Sequence, residues 1–571
     1  MRDENTNNQY EGRPAQADLM AKRPCAPHSF GGGSRHEKLR RLAPLALLAL
    51  AALALRLPGL FSQPVVLTEG TTTITIARNL LAGRGFAGIL GTVEPFVPPL
   101  YPLLIAALTP LTGDAILSAR LISLLAGVAL VPSTYLLAAR LFDRRAGFGA
   151  GLLVAGAPLL IEYSSLEWSE TLYALLLTLG LAWGWQAIRV GGRRSALGAG
   201  LCLGLAYLTR VEGALALALV VAWSLGHASC ALAPVRWRRS LASDLWSRRC
   251  ALMPLLAAFA LVAAPYVLWL SLTLDRVALE TKSTLNFVIA GRMAQGESYV
   301  DAAYGLDADG RPHGVFLQRT AALSQQQAPD LPPPWSGSRL RQLWNGLRGV
   351  RQEMQLYLVS WLFLVAVAAG ILRTLMTRSS RPATLYLGSF IGLALLTVAL
   401  VPQVYTRYLF PLLPLLCVWA GAGVGAGVVG APRPHAPATT LVIVCVLLLS
   451  LPRGSTVSSR RVVDVDQQRA GIWLAQQRPQ DGLRILSVHS QVPFYAGGVH
   501  VPMPNGSPAQ VLTYADAVQA DVIITSPRKL ASRPALQAWR EAATLPAPWQ
   551  AAYRDAEAAD GELIVWMKTS K

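Results

Sequence analysis

Charge is what this chain has least of. Asp, Glu, Lys and Arg make up 15% of its 571 residues, against roughly 25% in ordinary soluble domains. With 53% hydrophobic residues, that scarcity excludes a wholly soluble protein, because the apolar surface has to be solvated by lipid. Carboxylates are the scarcer half, 32 against 51 Lys and Arg, for a net charge of +19. The excess does not point to nucleic acid, since the basic residues lie in short loops between apolar runs, where membrane proteins carry them on the cytoplasmic side. Cysteine is sparse. Cys25, Cys202, Cys230, Cys250, Cys417 and Cys445 include no CxxC pair, which argues against a structural zinc site and a disulfide framework. A glycine-rich phosphate loop and an internal repeat are both missing, so nothing here binds a nucleotide in the usual way.

What is present is a series of apolar runs. At about 20 apolar residues per crossing, the candidates are 43–60, 115–139, 146–162, 171–188, 195–209, 211–227, 251–272, 355–373, 383–401, 407–430 and 438–452, about eleven in all. The fold class is an α-helical polytopic membrane protein with a small C-terminal extracytoplasmic α/β domain. Residues 1–42 read as a disordered basic cytoplasmic tail, rich in Gly, Pro and Arg. Residues 43–452 form the transmembrane part, with a first external loop at 61–114 and a long one at 273–354. The composition of 453–571 is that of a soluble α/β layer. Strands are expected at 485–488, 522–524 and 563–566, and helices at 465–478 and 534–543. Pro98 to Leu111 is too short to cross and reads as interfacial or re-entrant.

Arginines fix the orientation. Arg140/Arg144/Arg145, Arg189/Arg193/Arg194, Arg236/Arg238/Arg239/Arg248/Arg249 and Arg373/Arg378/Arg381 all fall inside if the tail is cytoplasmic, as the positive-inside rule asks. Arg453, Arg460 and Arg461 fall outside, in a long translocated domain that escapes the rule. Arg56, near the outer end of the first span, is expected to snorkel to headgroups.

The outer face then collects ionisable groups, which near a membrane are costly and point to function. Glu69 and Glu94 lie in the first loop, with Arg78 and Arg84 between them. Glu69 leads into a short two-faced segment. At about 100° per residue, Ile74, Ile76, Ala77, Leu80 and Leu81 share one arc, and Thr71, Thr72, Thr75, Arg78 and Asn79 the other, the pattern of a helix lying flat in the interface. Glu162, Glu167 and Glu170 follow in the second loop, Arg210 and Glu212 at a helix break, and Arg407 at the mouth of a late span. Carboxylates and arginines on one face suit the activation of a hydroxyl beside a lipid phosphate. Plainer readings stay open: Glu162 and Glu167 as solvated acids, Arg210 with Glu212 as a self-satisfied pair, Arg407 as a headgroup anchor. Glu94 with Glu170 would suit a hard divalent cation. His489 and His500 lie outside any ligand spacing and read as structural.

The segment EGTTTITIARNLLAGRGF (Glu69 to Phe86) resembles the first-loop signature of membrane glycosyltransferases of the GT-C type, in the branch of the dolichyl-phosphate-mannose protein mannosyltransferases and the lipid A aminoarabinose transferases (glycosyltransferase family 39-like). VPPLYPLLIAAL (Val97 to Leu108), SSLEWSETLYALLL (Ser164 to Leu177), GLAYLTRVEGALAL (Gly204 to Leu217), TRYLFPLLPLL (Thr406 to Leu416), AGIWLAQQRPQDGLRIL and PFYAGG (Pro493 to Gly498) are similar to further segments of that family. Two departures stand out: Glu69 where the family carries aspartate, and Thr71, Thr72 and Thr73 where aromatic residues are common. The resemblance implies inverting transfer of a sugar from a polyprenyl-phosphate donor to a hydroxyl of a lipid, glycan or protein acceptor. It would occur on the outer face of a bacterial inner membrane. In that setting Glu69 is the base, Arg210, Arg407 and Arg78 hold the donor phosphate, and Glu94 and Glu170 serve the acceptor or a divalent cation; no other cofactor is implied. A lipid-linked glycan transporter and a non-catalytic family member are the competing readings. A transporter would carry polar groups at mid-membrane, and the spans are nearly free of them.

Overall fold

The computed structural model describes residues 35–61, 64–230, 238–324, 339–355, 359–401, 403–427, 436–450, 464–477, 482–540, 544–555, 557 and 561–569. The boundary between two units falls after Ala46, inside the first helix, α1 (Arg35–Phe61), and residues from Leu47 onward belong to the second unit. Cys25, Arg236, Arg453, Arg460 and Arg461 lie outside the described residues.

Each apolar run of the sequence carries a helix. After α1 come α2 (Thr68–Leu81), α3 (Leu100–Thr112), α4 (Ala115–Leu141), α5 (Arg144–Gly156), α6 (Pro158–Tyr163), α7 (Glu170–Arg189), α8 (Arg193–Thr209), α9 (Gly213–Cys230) and α10 (Arg238–Thr273). The long loop holds α11 (Lys282–Ala294), α12 (Tyr299–Tyr304), α13 (Val315–Ser324) and α14 (Arg339–Glu353). Beyond it lie α15 (Trp361–Met376), α16 (Arg381–Ala399), α17 (Thr406–Leu409), α18 (Leu412–Gly427) and α19 (Ala436–Ser450). Among the described residues, four are long and apolar enough to cross a membrane: α4, α7, Leu252–Thr273 within α10, and α16. Leu45–Phe61, Leu100–Thr112, Gly213–Gly226, Trp361–Met376 and Leu412–Val424 are shorter apolar helices. The protein is thus a multi-pass α-helical membrane protein.

Two expected spans are broken. The run 146–162 divides at Ala157, because Pro158 has no N–H to continue the ladder. The run 407–430 divides between α17 and α18, at Pro411. Helix starts follow their caps: the Asp114 carboxylate accepts from the backbone N–H of Ile116 and Leu117 at 3.1 and 3.0 Å, and that of Asp143 from Ala146 at 2.8 Å. Lipid offers no hydrophobic drive between helices, so close approach has to supply the packing. α5 meets α18 at Gly149 and Gly421, and a Cβ on Gly421 would lie 2.5 Å from the Ala146 carbonyl oxygen. α15 crosses α18 at Gly370, where a Cβ would come within 1.9 Å of the Trp419 carbonyl oxygen.

The C-terminal layer is a five-stranded sheet of β1 (Arg484–Ser487), β2 (Val499–Pro502), β3 (Val522–Thr525), β4 (Trp549–Asp555) and β5 (Leu563–Lys568), in the order β2-β1-β3-β5-β4. β2, β1 and β3 are parallel, and β5 runs antiparallel to both β3 and β4. The expected strands at 485–488, 522–524 and 563–566 and the helix at 465–478 are present, while 534–543 holds a 3-10 helix at Pro534–Arg540. The layer is tied to the first loop by hydrogen bonds from the His500 N–H to the Ile89 carbonyl (2.8 Å) and from the Val66 N–H to the Tyr495 hydroxyl (2.8 Å). It is tied to the long loop by the Asn505 N–H, which donates to the Tyr304 carbonyl at 2.7 Å.

Two expectations are corrected here. Arg56 does not snorkel: its side chain is wholly buried. It donates to the carbonyls of Val154 and Ala155, each at 2.8 Å, to the Ala52 carbonyl at 3.3 Å and to Ser164 Oγ at 3.1 Å. Helix α2 is also not an apolar arc laid on lipid. Thr71 is buried and Leu81 is 49% exposed, because α2 packs between the helices and the C-terminal layer. Thr71 Oγ1 donates to the Thr68 carbonyl at 2.7 Å and shares a 2.7 Å hydrogen bond with Ser490 Oγ.

Candidate active site

Four chain segments converge at helix ends. Glu69 lies in the first turn of α2, held close to the second acidic loop by its neighbour: a Cβ on Gly70 would lie 2.9 Å from Glu167 Cβ. Glu167 is itself buried, and its Oε1 accepts from Arg120 Nε at 2.5 Å. Arg210 stands at the end of α8 with an extended backbone. The chain turns there at Gly213, where a Cβ would come within 2.4 Å of the Tyr207 nitrogen. Arg407 is carried by α17, whose first residue, Thr406, donates to Glu353 Oε2 at 2.5 Å.

The two arginines meet over one ring. Arg407 sits 5.2 Å and Arg210 5.7 Å from the Tyr408 ring centroid, within cation–π range. Arg407 Nη1 donates to Glu69 Oε1 at 2.7 Å. Arg210 Nη1 donates to Glu170 Oε1 at 2.8 Å, and its Nη2 to Glu212 Oε1 at 3.0 Å. Below them Tyr163 stacks on Phe410 with centroids 4.2 Å apart and meets Trp168 edge-on at 5.3 Å. The Glu69 side chain is 45% exposed and Arg407 19%, so this pair faces solvent while Arg210 and Glu170 lie deeper, at 11% and 7%.

Glu69, Arg407, Arg210 and Glu170 are therefore brought together. Arg78 is not: its guanidinium lies over the Phe494 ring at 4.6 Å, against the C-terminal layer. Glu94 stands apart too, buried and paired with Arg319, whose guanidinium covers the Phe96 ring at 4.0 Å. That pair clamps α13 of the long loop to the first loop. As for a cation, Glu94 and Glu170 are each engaged by an arginine, and among the described residues no group of three or more His, Cys, Asp or Glu is placed to hold one.

Sequence reasoning missed Arg120 and Tyr408, and assigned Arg56 to headgroups rather than to the break it braces. Arg120 carried a legible signal, a lone charge inside an apolar run. Tyr408 carried none, since its importance comes from the two cations that reach it.

A family profile described as "Dolichyl-phosphate-mannose-protein mannosyltransferase" matches residues 96–269. No curated protein sequence matches the chain. Among solved structures, ArnT from Cupriavidus metallidurans bound to undecaprenyl phosphate superposes with a TM-score of 0.55 at 15% identity, covering 92% of this chain and 98% of that one. The Archaeoglobus fulgidus oligosaccharyltransferase tethered with an acceptor peptide gives 0.56 at 12%, covering 94% and 75%. The Archaeoglobus fulgidus oligosaccharyltransferase AglB with an inhibitory peptide and a dolichol-phosphate gives 0.54 at 12%, covering 93% and 74%. At these identities the likeness is one of fold. The chain has the fold of the GT-C-type membrane glycosyltransferases.

Proposed function

We propose that the protein is a glycosyltransferase that moves a sugar from a polyprenyl-phosphate carrier to an acceptor hydroxyl, with inversion at the anomeric carbon. One observation carries this reading: Arg210 and Arg407 converge on Tyr408 beside a half-exposed carboxylate, Glu69. Two guanidiniums at one spot offer forked donors to a phosphate, and a carboxylate next to them can take a proton. Solved structures of the same fold hold undecaprenyl phosphate and dolichol-phosphate, the carrier chemistry this pair suits.

In this mechanism Glu69 accepts the acceptor's proton as its oxygen attacks the anomeric carbon. The bond to the carrier phosphate breaks in the same step, so no covalent enzyme intermediate forms. Phosphate leaves as an anion and needs positive charge more than a proton, which Arg407 and Arg210 supply. The ion pair with Glu69 keeps Arg407 in place before the donor arrives, and Glu170 and Glu212 do the same for Arg210.

The topology that goes with this reading has about eleven spans, several of them shorter than ~20 apolar residues. The tail 1–42 is cytoplasmic, 43–452 spans a bacterial inner membrane, and 453–571 lies outside with the catalytic carboxylate. Arg140, Arg144, Arg189, Arg193, Arg373 and Arg381 support it, since all sit at helix ends away from Glu69 in the chain's alternation.

Glu69→Gln tests the assignment. Transfer from a defined undecaprenyl-phosphate-linked donor in detergent should fall roughly 100-fold or more, with the protein still folded. Turnover at the wild-type rate would remove Glu69 from the chemistry. Labelling of a Glu69→Cys variant by a membrane-impermeant thiol reagent in intact cells tests the sidedness.

A further inference from the structure

Helix α14, in the long loop, has two unlike sides, and the fold uses one of them. At about 100° per residue, Leu343, Gly346, Gly349, Val350 and Glu353 share one side. Gly346 lies against the Ala399 carbonyl at the end of α16, too close for a Cβ, and a Cβ on Gly349 would stand 3.2 Å from a Val404 methyl. Val350 is buried. Glu353 Oε2 accepts from Thr406, the residue before Arg407.

The other side is Trp344, Leu347, Arg348 and Arg351, within an arc of about 100°. Trp344 is 57% and Leu347 42% exposed, and both arginines are exposed. The Arg348 guanidinium lies over the Trp344 ring at 5.1 Å. Among the described residues no carboxylate pairs with either arginine. The sequence of α14 carries four arginines against one glutamate, so the helix is strongly cationic as a whole.

An indole and a leucine beside two cations are ill placed in open water and equally ill placed in hydrocarbon. They suit the boundary between the two, where tryptophan sits at headgroup level and arginine reaches lipid phosphate. The neighbouring helices put that boundary here. α16 is long and apolar enough to cross a membrane, and its exposed apolar side runs through Leu396, 47% exposed, to the Ala399 end on which Gly346 rests. α15, the next helix in the chain, opens with Trp361 and Leu362, 76% and 51% exposed. Lipid covers α14 and these helix ends together, whereas a protein bound to α14 alone would leave the ends of α15 and α16 bare.

We propose that Trp344, Leu347, Arg348 and Arg351 form a docking surface for anionic lipid. α14 lies flat on the membrane where α16 emerges, with its indole among the headgroups and its arginines on their phosphates. Through Glu353 and Thr406 the seated helix braces α17, so the lipid surface steadies the element that carries Arg407. The surface goes beyond the transferase reading and does not depend on it, because α14 meets lipid whether or not Glu69 is a base.

The test uses the full-length protein in lipid nanodiscs. Leu347→Cys, in a chain whose native cysteines are replaced by serine, carries a fluorophore, and Ala552→Cys, exposed on β4, carries the same label as the control. The quenchers are phosphatidylcholine and phosphatidylglycerol bearing a nitroxide at the top of the acyl chain, each at low mole fraction. The label at position 347 should be quenched and the label at position 552 should not. The glycerol lipid should quench position 347 about fivefold more than the choline lipid, the weight of one arginine near a charged surface. Arg348→Gln together with Arg351→Gln should bring the two lipids to parity, as should ~1 M salt with the arginines intact, where charges are screened beyond about 3 Å. If the cysteine-free chain does not fold, hydrogen exchange over 343–353 in the unmodified protein decides the matter, and should be about fivefold slower in glycerol-lipid discs than in choline-lipid discs. No quenching at position 347, equal quenching by the two lipids, or equal exchange in the two discs overturns the surface. Disulfide-linked dimers through Leu347→Cys in place of quenching also overturn it, by giving the face to a second copy of the chain. Every readout is taken without turnover, so none bears on the Glu69→Gln result.

Discussion

Arg56 offers a prediction in which chemistry, rather than size, decides the outcome. Pro158 breaks the run that would join α5 to α6, and two carbonyls lose their helical partners there, Val154 to the missing proline N–H and Ala155 to the turn itself. The Arg56 fork fills both positions at 2.8 Å and adds Ser164 Oγ at 3.1 Å. Arg56→Met keeps much of the volume and removes the buried charge, but leaves two carbonyls without donors, at about 1–3 kcal/mol each. Relief of the charge's desolvation, which amounts to several kcal/mol, offsets part of that. Arg56→Lys keeps the charge in the same dry place, and a single ammonium on a flexible stem cannot serve three divergent acceptors as a planar fork does. The expected order of stability is therefore wild type, then Met, then Lys, reversing the usual ranking of conservative changes. Thermal unfolding of the detergent-solubilised protein, followed by tryptophan fluorescence, gives the order directly. A Lys variant as stable as wild type, or clearly above Met, would refute the reasoning. Transfer should fall in both variants, because α6 carries Tyr163 and leads to Glu167 and Glu170.

Three further outcomes follow from the geometry. Gly70→Ala places a methyl 2.9 Å from Glu167 Cβ and 3.1 Å from a Val66 methyl; relieving that overpacking costs roughly 1–3 kcal/mol and shifts Glu69, so kcat should fall with undecaprenyl phosphate binding unchanged. Arg407→Ala should weaken undecaprenyl phosphate binding by about tenfold or more, as loss of a charge-assisted contact requires; unchanged affinity in a direct binding assay would make the arginine a structural partner of Glu69 only. Burial lowers His500 to about 4. The unfolded chain thus takes up a proton below roughly pH 6.5 that the folded chain refuses, and stability conferred at neutral pH is lost as pH falls from there towards about 4. His500→Gln should flatten that dependence in a pH series of melting curves.

The helices were legible because lipid imposes a simple demand: long apolar runs with every backbone group satisfied internally. Strands β1, β3 and β5 were legible for a related reason, being short apolar runs buried on both faces. β2 and β4 were not. β2 is four residues ending in Pro502, and β4 has an edge pattern with exposed Gln550, Ala551 and Ala552. Which acids are buried was also hidden. Glu167 and Glu94 read as loop acids, and only the folded chain shows Arg120 and Arg319 meeting them. The same holds for Glu69 and Arg407, 338 positions apart; a sequence can nominate both without pairing them.

The placement of these ion pairs also explains why the proposed base, Glu69, carries a cation partner at all. Glu69 opens α2, and α2 is fastened on three sides: by Gly70 against the Glu167 loop, by Thr71 against Ser490, and by Arg78 over Phe494. Two of those fastenings belong to the C-terminal layer, so the position of Glu69 depends on that layer. Arg407 is carried by a four-residue helix between α16 and α18. Such a short element has little intrinsic stability and holds its place through contacts, namely Thr406 to Glu353, Arg407 to Glu69 and the Tyr408 ring beneath both arginines. Glu69 and Arg407 therefore position each other. Glu69→Gln should consequently do more than remove a proton acceptor: it should loosen α17, visible as faster hydrogen exchange over 406–410, whereas exchange unchanged there would mean that Glu353 and Tyr408 suffice to hold the arginine.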